Sequence, residues 1–84
     1  MEIDALRIAL LALCTPERIE LHRAHGELEH WLNRQLASAE LEVAAAELAA
    51  GGLIAVHGDA PVALLTTPDG RALVSARWEE FFPE

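Results

Sequence analysis

The stretch LAAGGLIAVHGDAPVALLT, residues 48–66, changes its hydrophobic period in the middle. Up to the Gly51-Gly52 pair the apolar spacing is helical, and a glycine directly after such a pattern is a common helix end. Two short apolar runs follow at 53–56 and 62–66, separated by turn residues at 58–61. Short apolar runs joined by glycine, aspartate and proline predict a β-hairpin. The stretch therefore predicts the end of a helix followed directly by two antiparallel strands.

Three helices are predicted upstream of this hairpin. The first covers residues 2–14 and is apolar on every side beyond Arg7, which favours either a central position in the fold or a contact with a second copy. The second covers about 16–36, with Trp31 in its core-facing stripe, and the third is capped by Ser38 and ends at Gly51-Gly52. Its inward face is predicted to consist of Leu41, Ala44, Ala45 and Leu48.

The segment after the hairpin, residues 67–82, fits two structures. A type I turn at 67–70 would lead into a third strand, whereas a capping threonine followed by proline would begin a helix. We favour the helix, because it keeps both aromatic clusters on one side. The predicted fold is therefore a single α+β domain over 1–84, mainly helical, with three N-terminal helices, a two-stranded hairpin and a C-terminal helix.

The composition indicates a small acidic protein of a reducing compartment. The chain has 84 residues, with 14 acidic side chains against six arginines, and its formal net charge is −8. Cys14 is the only cysteine, so no disulfide can form within the chain. The N-terminus lacks the positive charge of a signal peptide, and the apolar run at 8–14 is too short to cross a bilayer. We therefore predict a cytoplasmic protein with no membrane contact.

Two segments beside the hairpin resemble parts of a winged helix-turn-helix domain. Residues 48–54 are similar to the junction at which the DNA-reading helix of that fold ends and its first wing strand begins. Residues 67–73 are similar to the segment that follows the wing in MarR- and PadR-like bacterial regulators. The resemblance covers residues from about 27 to 75. It implies a winged-helix fold in which the third helix and the wing contact DNA.

The side chains at these positions do not suit DNA. The outer face of the third helix would carry Ala39, Val43, Ala46 and Ala50, flanked by Glu40, Glu42 and Glu47, and the hairpin tip carries Asp59. No arginine or lysine occurs between Arg34 and Arg71, so this face lacks the cations that pair with phosphates. We therefore do not expect DNA as a partner and predict an acidic protein-binding face instead.

The function predicted on this basis is a non-enzymatic protein-interaction module. Its partner would be a basic protein, such as a nucleic-acid-binding machine that the small acidic chain inhibits. The candidate partner-binding residues are Glu40, Glu42, Val43, Ala46, Glu47, Ala50 and Asp59. A homodimer through residues 2–14 is a further expectation. The alternative is a DNA-binding transcriptional regulator, which would contact the DNA backbone with Arg18, Arg23, Arg34, Arg71 and Arg77.

Catalytic and metal-binding chemistry has little support in the residues present. His22, His25 and Glu29 have the spacing of one helix face, but a metal site would need another ligand, so solvated surface side chains are the preferred interpretation. Cys14 lies in an apolar run, where a reactive thiolate is disfavoured. We predict no enzyme activity, no cofactor and no bound metal.

Overall fold

Helices and strands follow one another in the order α1 (Ala5–Leu13), β1 (Ile19–Glu20), α2 (Leu21–Leu32), α3 (Ser38–Ala50), β2 (Ile54–His57), β3 (Ala63–Thr66) and α4 (Pro68–Phe81). The computed structural model describes residues 2–59 and 61–83. Four helices with a small antiparallel sheet confirm the predicted α+β class. Ala60, which belongs to the predicted hairpin turn, lies outside the described residues.

α1 lies at the centre of the fold, packed against α2, α3, α4 and β3. Four of its residues are completely buried: Ile8, Ala9, Leu10 and Leu11. A helix covered on all sides needs no polar face, which explains its apolar sequence. The homodimer through residues 2–14 stays a prediction, although the apolar side chains at 8–11 on which it relied are buried within one chain.

The second helix is shorter than predicted, because a strand replaces its first residues. α2 begins at Leu21, and residues 19–20 form β1, in which Ile19 lies opposite Leu64 of β3. The N–H of Leu21 extends this pairing by donating to the carbonyl O of Val62 at 2.8 Å. The backbone groups along the free edge of β3 need partners, and this tertiary pairing overrides the local preference for a helix.

The sheet has the strand order β1-β3-β2, and both pairs are antiparallel. β2 and β3 form the predicted hairpin, with Ile54 opposite Thr66 at its base and His57 opposite Ala63 near its tip. The hydroxyl of buried Thr66 donates to the carbonyl O of Leu11 at 2.6 Å. This bond ties the central strand of the sheet to α1.

The last segment is the predicted helix, and the alternative of a third hairpin strand at 67–82 is wrong. Oγ1 of Thr67 accepts a hydrogen bond from the N–H of Gly70 at 3.1 Å, and Pro68 occupies the first turn of α4. Proline at the start of a helix and a threonine cap both stabilise this boundary. α4 then packs along α1, so the last helix covers the first.

The core is aliphatic, and the aromatic side chains lie at its margin. Its largest fully buried residues are Ile8, Leu10, Leu11, Leu28, Leu41, Leu48 and Leu64. Trp31 is 40% exposed, so its predicted place in the core is wrong. The rings of Trp78 and Phe82 stack on each other, with centroids 4.4 Å apart. None of the helices in the described residues combines the length and apolar character needed to span a membrane.

Candidate functional site

Helices α2 and α3 and their connection, residues 33–37, form a helix-turn-helix unit. Asn33 ends α2 in the left-handed conformation, at φ 53°, which asparagine adopts more readily than most residues. Leu36 is buried and fixes the connection to the core. Ala37 precedes α3 and offers no side-chain cap, so the predicted cap at Ser38 is wrong. The start of α3 therefore depends on contacts made by the connection.

One face of α3 is buried and the opposite face is open. The buried residues are Leu41, Ala44, Ala45 and Leu48, as the sequence predicts. The open face consists of Ala39, Val43, Ala46 and Ala50, and Val43 is the largest of these at 53% exposure. This face is small, apolar and without a single hydrogen-bond donor among its side chains.

Glu40, on one edge of the open face, is neutralised by an arginine of the connection. Nη2 of Arg34 donates to Oε2 of Glu40 at 2.9 Å, and Nη1 donates to Oε1 at 3.3 Å. These hydrogen bonds hold the pKa of the Glu40 carboxyl below its usual range. The carboxylate is therefore ionised at neutral pH, and the guanidinium of Arg34 beside it offsets its negative charge.

Glu47, on the same edge, is neutralised by the single charged residue of α1. Nε and Nη2 of Arg7 both donate to Oε2 of Glu47, at 3.1 and 2.7 Å, and Nη1 donates to Asp4 at 2.9 Å. Desolvation lowers the pKa of Arg7, but the hydrogen bonds to Glu47 and Asp4 raise it above its usual value. No local pattern in the sequence marks Arg7 as a partner of α3. Its isolation as the one charged residue of an apolar helix indicates that it needs a partner, but does not indicate which residue that partner is.

The remaining acidic candidates lie apart from this edge. Glu42 is exposed and takes part in none of the ion pairs found among residues 2–59 and 61–83. Asp59 is exposed on the hairpin, close to Val56, which is 49% exposed. The structure thus gathers six of the seven candidate residues on α3 and leaves Asp59 on a separate element. Two of the three α3 carboxylates are already paired within the chain.

The arginines of the alternative hypothesis differ in availability. Arg34 and Arg77 are engaged by Glu40 and Glu80, the latter at 3.0 Å, and Arg23 lies 4.0 Å from Glu17. Arg18 and Arg71 are exposed. Among these, Arg34 lies nearest to α3 in the chain, since it belongs to the connection that leads into that helix.

The histidine group does not form a metal site. In the described part of the chain, no set of three or more histidine, cysteine, aspartate or glutamate side chains could hold a metal ion. His22 is exposed, in keeping with a solvated side chain. His25 is partly buried and hydrogen-bonded to the carbonyl O of Leu36, while Glu29 accepts a bond from the N–H of the same residue. The interpretation as a solvated surface histidine is therefore wrong for His25.

Comparison with known proteins gives matches of structure rather than of sequence. No protein-family model and no curated protein matches the chain. RosR of H. salinarum matches with a TM-score of 0.83 and 18% identity, over 93% of this chain and 73% of RosR. HlyU of Vibrio cholerae matches with a TM-score of 0.67 and 16% identity, over 94% of this chain and 78% of HlyU.

Two further matches are proteins with a described role. BpsR of Bordetella bronchiseptica, a protein whose DNA binding is regulated by 6-hydroxynicotinic acid, matches with a TM-score of 0.75 and 23% identity, over 90% of this chain. A MarR family transcriptional regulator from Silicibacter pomeroyi matches with a TM-score of 0.68 and 24% identity, over 93% of this chain. This chain spans 53% of BpsR and 57% of the MarR family protein. The chain therefore has the winged helix-turn-helix fold, as its resemblance to MarR-like domains predicted.

These matches correct two expectations drawn from charge. The neighbours include a transcriptional regulator and a protein with regulated DNA binding, which contradicts the primary hypothesis of an acidic module for a basic protein. They equally contradict the expectation that DNA is not a partner. The physical reason for the error is that counting glutamates on α3 ignored Arg7 and Arg34, which pair with two of them.

Proposed function

We propose that this chain is a non-enzymatic, cytoplasmic DNA-binding transcriptional regulator that contacts DNA through α3 and the β2–β3 hairpin. The observation that carries the proposal is the open face of α3 in a helix-turn-helix unit whose fold resembles that of BpsR and a MarR family regulator. In this fold the second helix of the unit enters the major groove, and the hairpin follows the neighbouring backbone. A buried free thiol fits a reducing, DNA-containing compartment.

The pairing of Glu40 and Glu47 with arginines makes a DNA contact at α3 more favourable than the number of glutamates in the sequence suggests. An exposed carboxylate near a phosphate costs on the order of 1 kcal/mol at the high effective dielectric of a surface. A guanidinium within hydrogen-bonding distance cancels most of that repulsion, and both Glu40 and Glu47 have one. Glu42, on the other side of the open face, has no such partner, and Glu47 shares the guanidinium of Arg7 with Asp4.

Base recognition by this face would be mainly apolar. Val43 and the neighbouring alanines offer methyl groups and no donors, so they suit the 5-methyl group of thymine in the major groove. Glu42 can accept a hydrogen bond from the amino group of cytosine. We therefore propose that the target sequence contains thymines facing Val43 and is not read through guanine.

Phosphate contacts would be few, and Arg34 is the foremost of them. Its guanidinium lies on the surface beside the first turn of α3, where its remaining N–H groups can donate to a phosphate while Nη1 and Nη2 stay paired with Glu40. Each phosphate that a protein neutralises contributes about −0.9 to the slope of log K against log salt. A protein with so few free cations should therefore show a shallow salt dependence.

The direct test is selection of binding sites from a random duplex library, followed by gel-shift measurement at several salt concentrations. We expect one enriched sequence to be bound. Arg34→Ala should weaken binding to every sequence and make the salt slope less negative by about 0.9. The matched control is Arg77→Ala, an arginine of α4 that is also paired with a glutamate. Absence of any enriched sequence and of any complex at low salt contradicts the proposal.

The mode of base recognition has a separate test. Replacing each thymine of the selected site by uracil removes one methyl group and nothing else. We expect about a fourfold loss of affinity at each contacted position, because burial of one such group is worth about 0.8 kcal/mol. Val43→Ala should reduce that difference at the thymine that faces Val43 and leave it unchanged at positions that face the alanines. Equal affinity for thymine and uracil sites at all positions would rule out the methyl contacts.

A further inference from the structure

One residue between α2 and α3 is held at both of its backbone polar groups by side chains of α2. The N–H of Leu36 donates to Oε2 of Glu29 at 2.8 Å, and its carbonyl O accepts a hydrogen bond from Nε2 of His25. A carbonyl can only accept, so the proton of that bond lies on Nε2 of His25. Nδ1 of the same ring lies 3.9 Å from Oε1 of Glu29. We call this arrangement the Leu36 clamp.

The two clamp side chains come from one face of α2. His25 and Glu29 are four residues apart, which places them one above the other on a helix. Both are partly buried, as is the bond that each makes to the connection. Bonds shielded in this way cost more to lose than exposed ones, because the freed backbone groups are less accessible to water.

Apart from the burial of Leu36 and the pair between Arg34 and Glu40, few contacts fix the start of α3 relative to α2. α3 packs mainly on α1 and β2, whereas α2 packs mainly on α1 and β1. Ala37 provides no cap for the first turn of α3. A cleft of about 330 Å³ lies between the two helices, lined by Leu21, His22, His25, Ser38, Leu41 and Glu42. This cleft leaves room for the first turn of α3 to shift when the connection is released.

We propose that His25 and Glu29 are positioning residues that set the orientation of α3 by clamping Leu36. This inference rests on the proposed function, because the orientation of α3 has a consequence only where α3 meets DNA. Base contacts depend on fine placement of side chains, whereas phosphate contacts tolerate small shifts. Release of the clamp should therefore reduce binding to the selected sequence and leave non-specific binding unchanged.

The test compares four variants on the selected duplex and on an unrelated duplex in the same buffer. His25→Ala and Glu29→Ala each remove one bond to Leu36, and we expect about a tenfold loss of affinity for the selected duplex only. His25→Gln keeps an N–H that can donate to the carbonyl, and Glu29→Gln keeps an oxygen that can accept from the N–H. Both glutamine variants should stay within about threefold of the unaltered protein.

A second measurement needs no DNA. The amides of Leu36 and Leu41, which donate to Glu29 and to the carbonyl O of Ala37, should exchange their hydrogens faster in His25→Ala and Glu29→Ala than in the unaltered protein. His22→Ala is the matched control, since His22 lines the same cleft and makes no bond to Leu36. Faster exchange in His25→Ala and Glu29→Ala, but not in His22→Ala, supports the clamp even if no DNA sequence is selected. Failure to select a DNA sequence would overturn only the proposed function.

Three results would overturn the clamp. Unchanged exchange at the amides of Leu36 and Leu41 in both alanine variants would show that the two bonds do not hold the connection. An unchanged ratio of specific to non-specific affinity would show that they do not orient α3. The third result is that the alanine and glutamine variants alike lose affinity for the selected and the unrelated duplex equally and no longer show a melting transition. It would show that His25 and Glu29 serve folding only.

Discussion

Cys14, at the end of α1, is a thiol that the fold keeps protonated. It is completely buried, and desolvation raises the pKa of the thiol to about 12, from 9.0 in the absence of burial. The thiolate is the reactive form, so at pH 8 we expect alkylation of the folded protein to be about a thousandfold slower than alkylation of the unfolded chain. Mass spectrometry after iodoacetamide treatment, with and without denaturant, measures both rates. Comparable rates would contradict this description of the site.

The same raised pKa predicts how stability changes with pH. Below pH 9 the thiol is protonated in both states, so its contribution to folding is fully present. Above pH 9 the unfolded chain loses the proton first, and this contribution falls by up to about 1.4 kcal/mol per pH unit until the folded thiol titrates near pH 12. Cys14→Ala should remove that part of the alkaline slope of the unfolding free energy. Identical slopes in the two proteins would argue against a protonated, buried thiol.

Gly70 is required by the close approach of α4 to the start of β2. A Cβ at this position would lie 2.1 Å from the carbonyl O of Leu53 and 2.6 Å from Cγ2 of Thr66. Because the first neighbour is backbone, α4 would have to move, and we expect Gly70→Ala to lower the free energy of unfolding by about 2 kcal/mol. Chemical denaturation measures the change.

The control for Gly70 is another helical glycine. A Cβ added at Gly26 in α2 would meet no atom within 4 Å, so Gly26→Ala should raise stability by about 0.5–1 kcal/mol through its helix preference. Similar effects of the two substitutions would show that helix preference alone, and not the contact with Leu53, governs Gly70.

The start of α4 and the hairpin before it could be predicted from the sequence, because their signals are local. Thr67 and Pro68 mark a helix start, and glycine and proline mark the turn between two apolar runs. β1 has no such signal. Its two residues are a strand only because β3, more than forty positions later, offers them an edge. Pairing between distant segments is the information that a local pattern lacks.

The open face of α3 could likewise be predicted from helical spacing, but its charge could not. The exposed positions follow from the period of the buried ones. The partner of Glu47, by contrast, is Arg7, 40 residues away in another helix. Counting charges along the sequence treated each glutamate as free, and this produced the wrong expectation about DNA.

The pairing of α1 with α3 through Arg7 predicts a coupled effect on stability and binding. Arg7→Met should weaken DNA binding severalfold, because it leaves Glu47 uncompensated on the α3 edge. Adding Glu47→Gln to Arg7→Met should restore the binding, because the uncompensated carboxylate is then removed.

In unfolding experiments the double-mutant cycle of Arg7→Met and Glu47→Gln should give a coupling of about 1 kcal/mol, as measured for well-formed pairs at the surface. Arg7 is only 14% exposed, so its aliphatic packing contributes to the single-variant loss and cancels in the cycle. Additive effects on both measurements would show that the pair is not formed.

The net charge of −8 makes the protein a weak ligand for DNA of arbitrary sequence. Repulsion from the phosphates acts over roughly a Debye length, about 10 Å at 0.1 M salt. In the regulator proposed above, contacts at α3 would therefore supply a larger share of the affinity than in a basic regulator. A protein of this kind would gain selectivity from its charge, because it spends little time on unrelated DNA.

The central position of α1 has a consequence for biosynthesis. α1 is translated before α4, which covers part of it, so that part of its apolar surface has no partner until α4 has been made. Nascent chains with uncovered apolar segments are prone to aggregate and are common clients of chaperones. A chain stalled on the ribosome before α4 emerges would consequently leave part of α1 uncovered and prone to aggregation, and this core is completed only when α4 has left the exit tunnel.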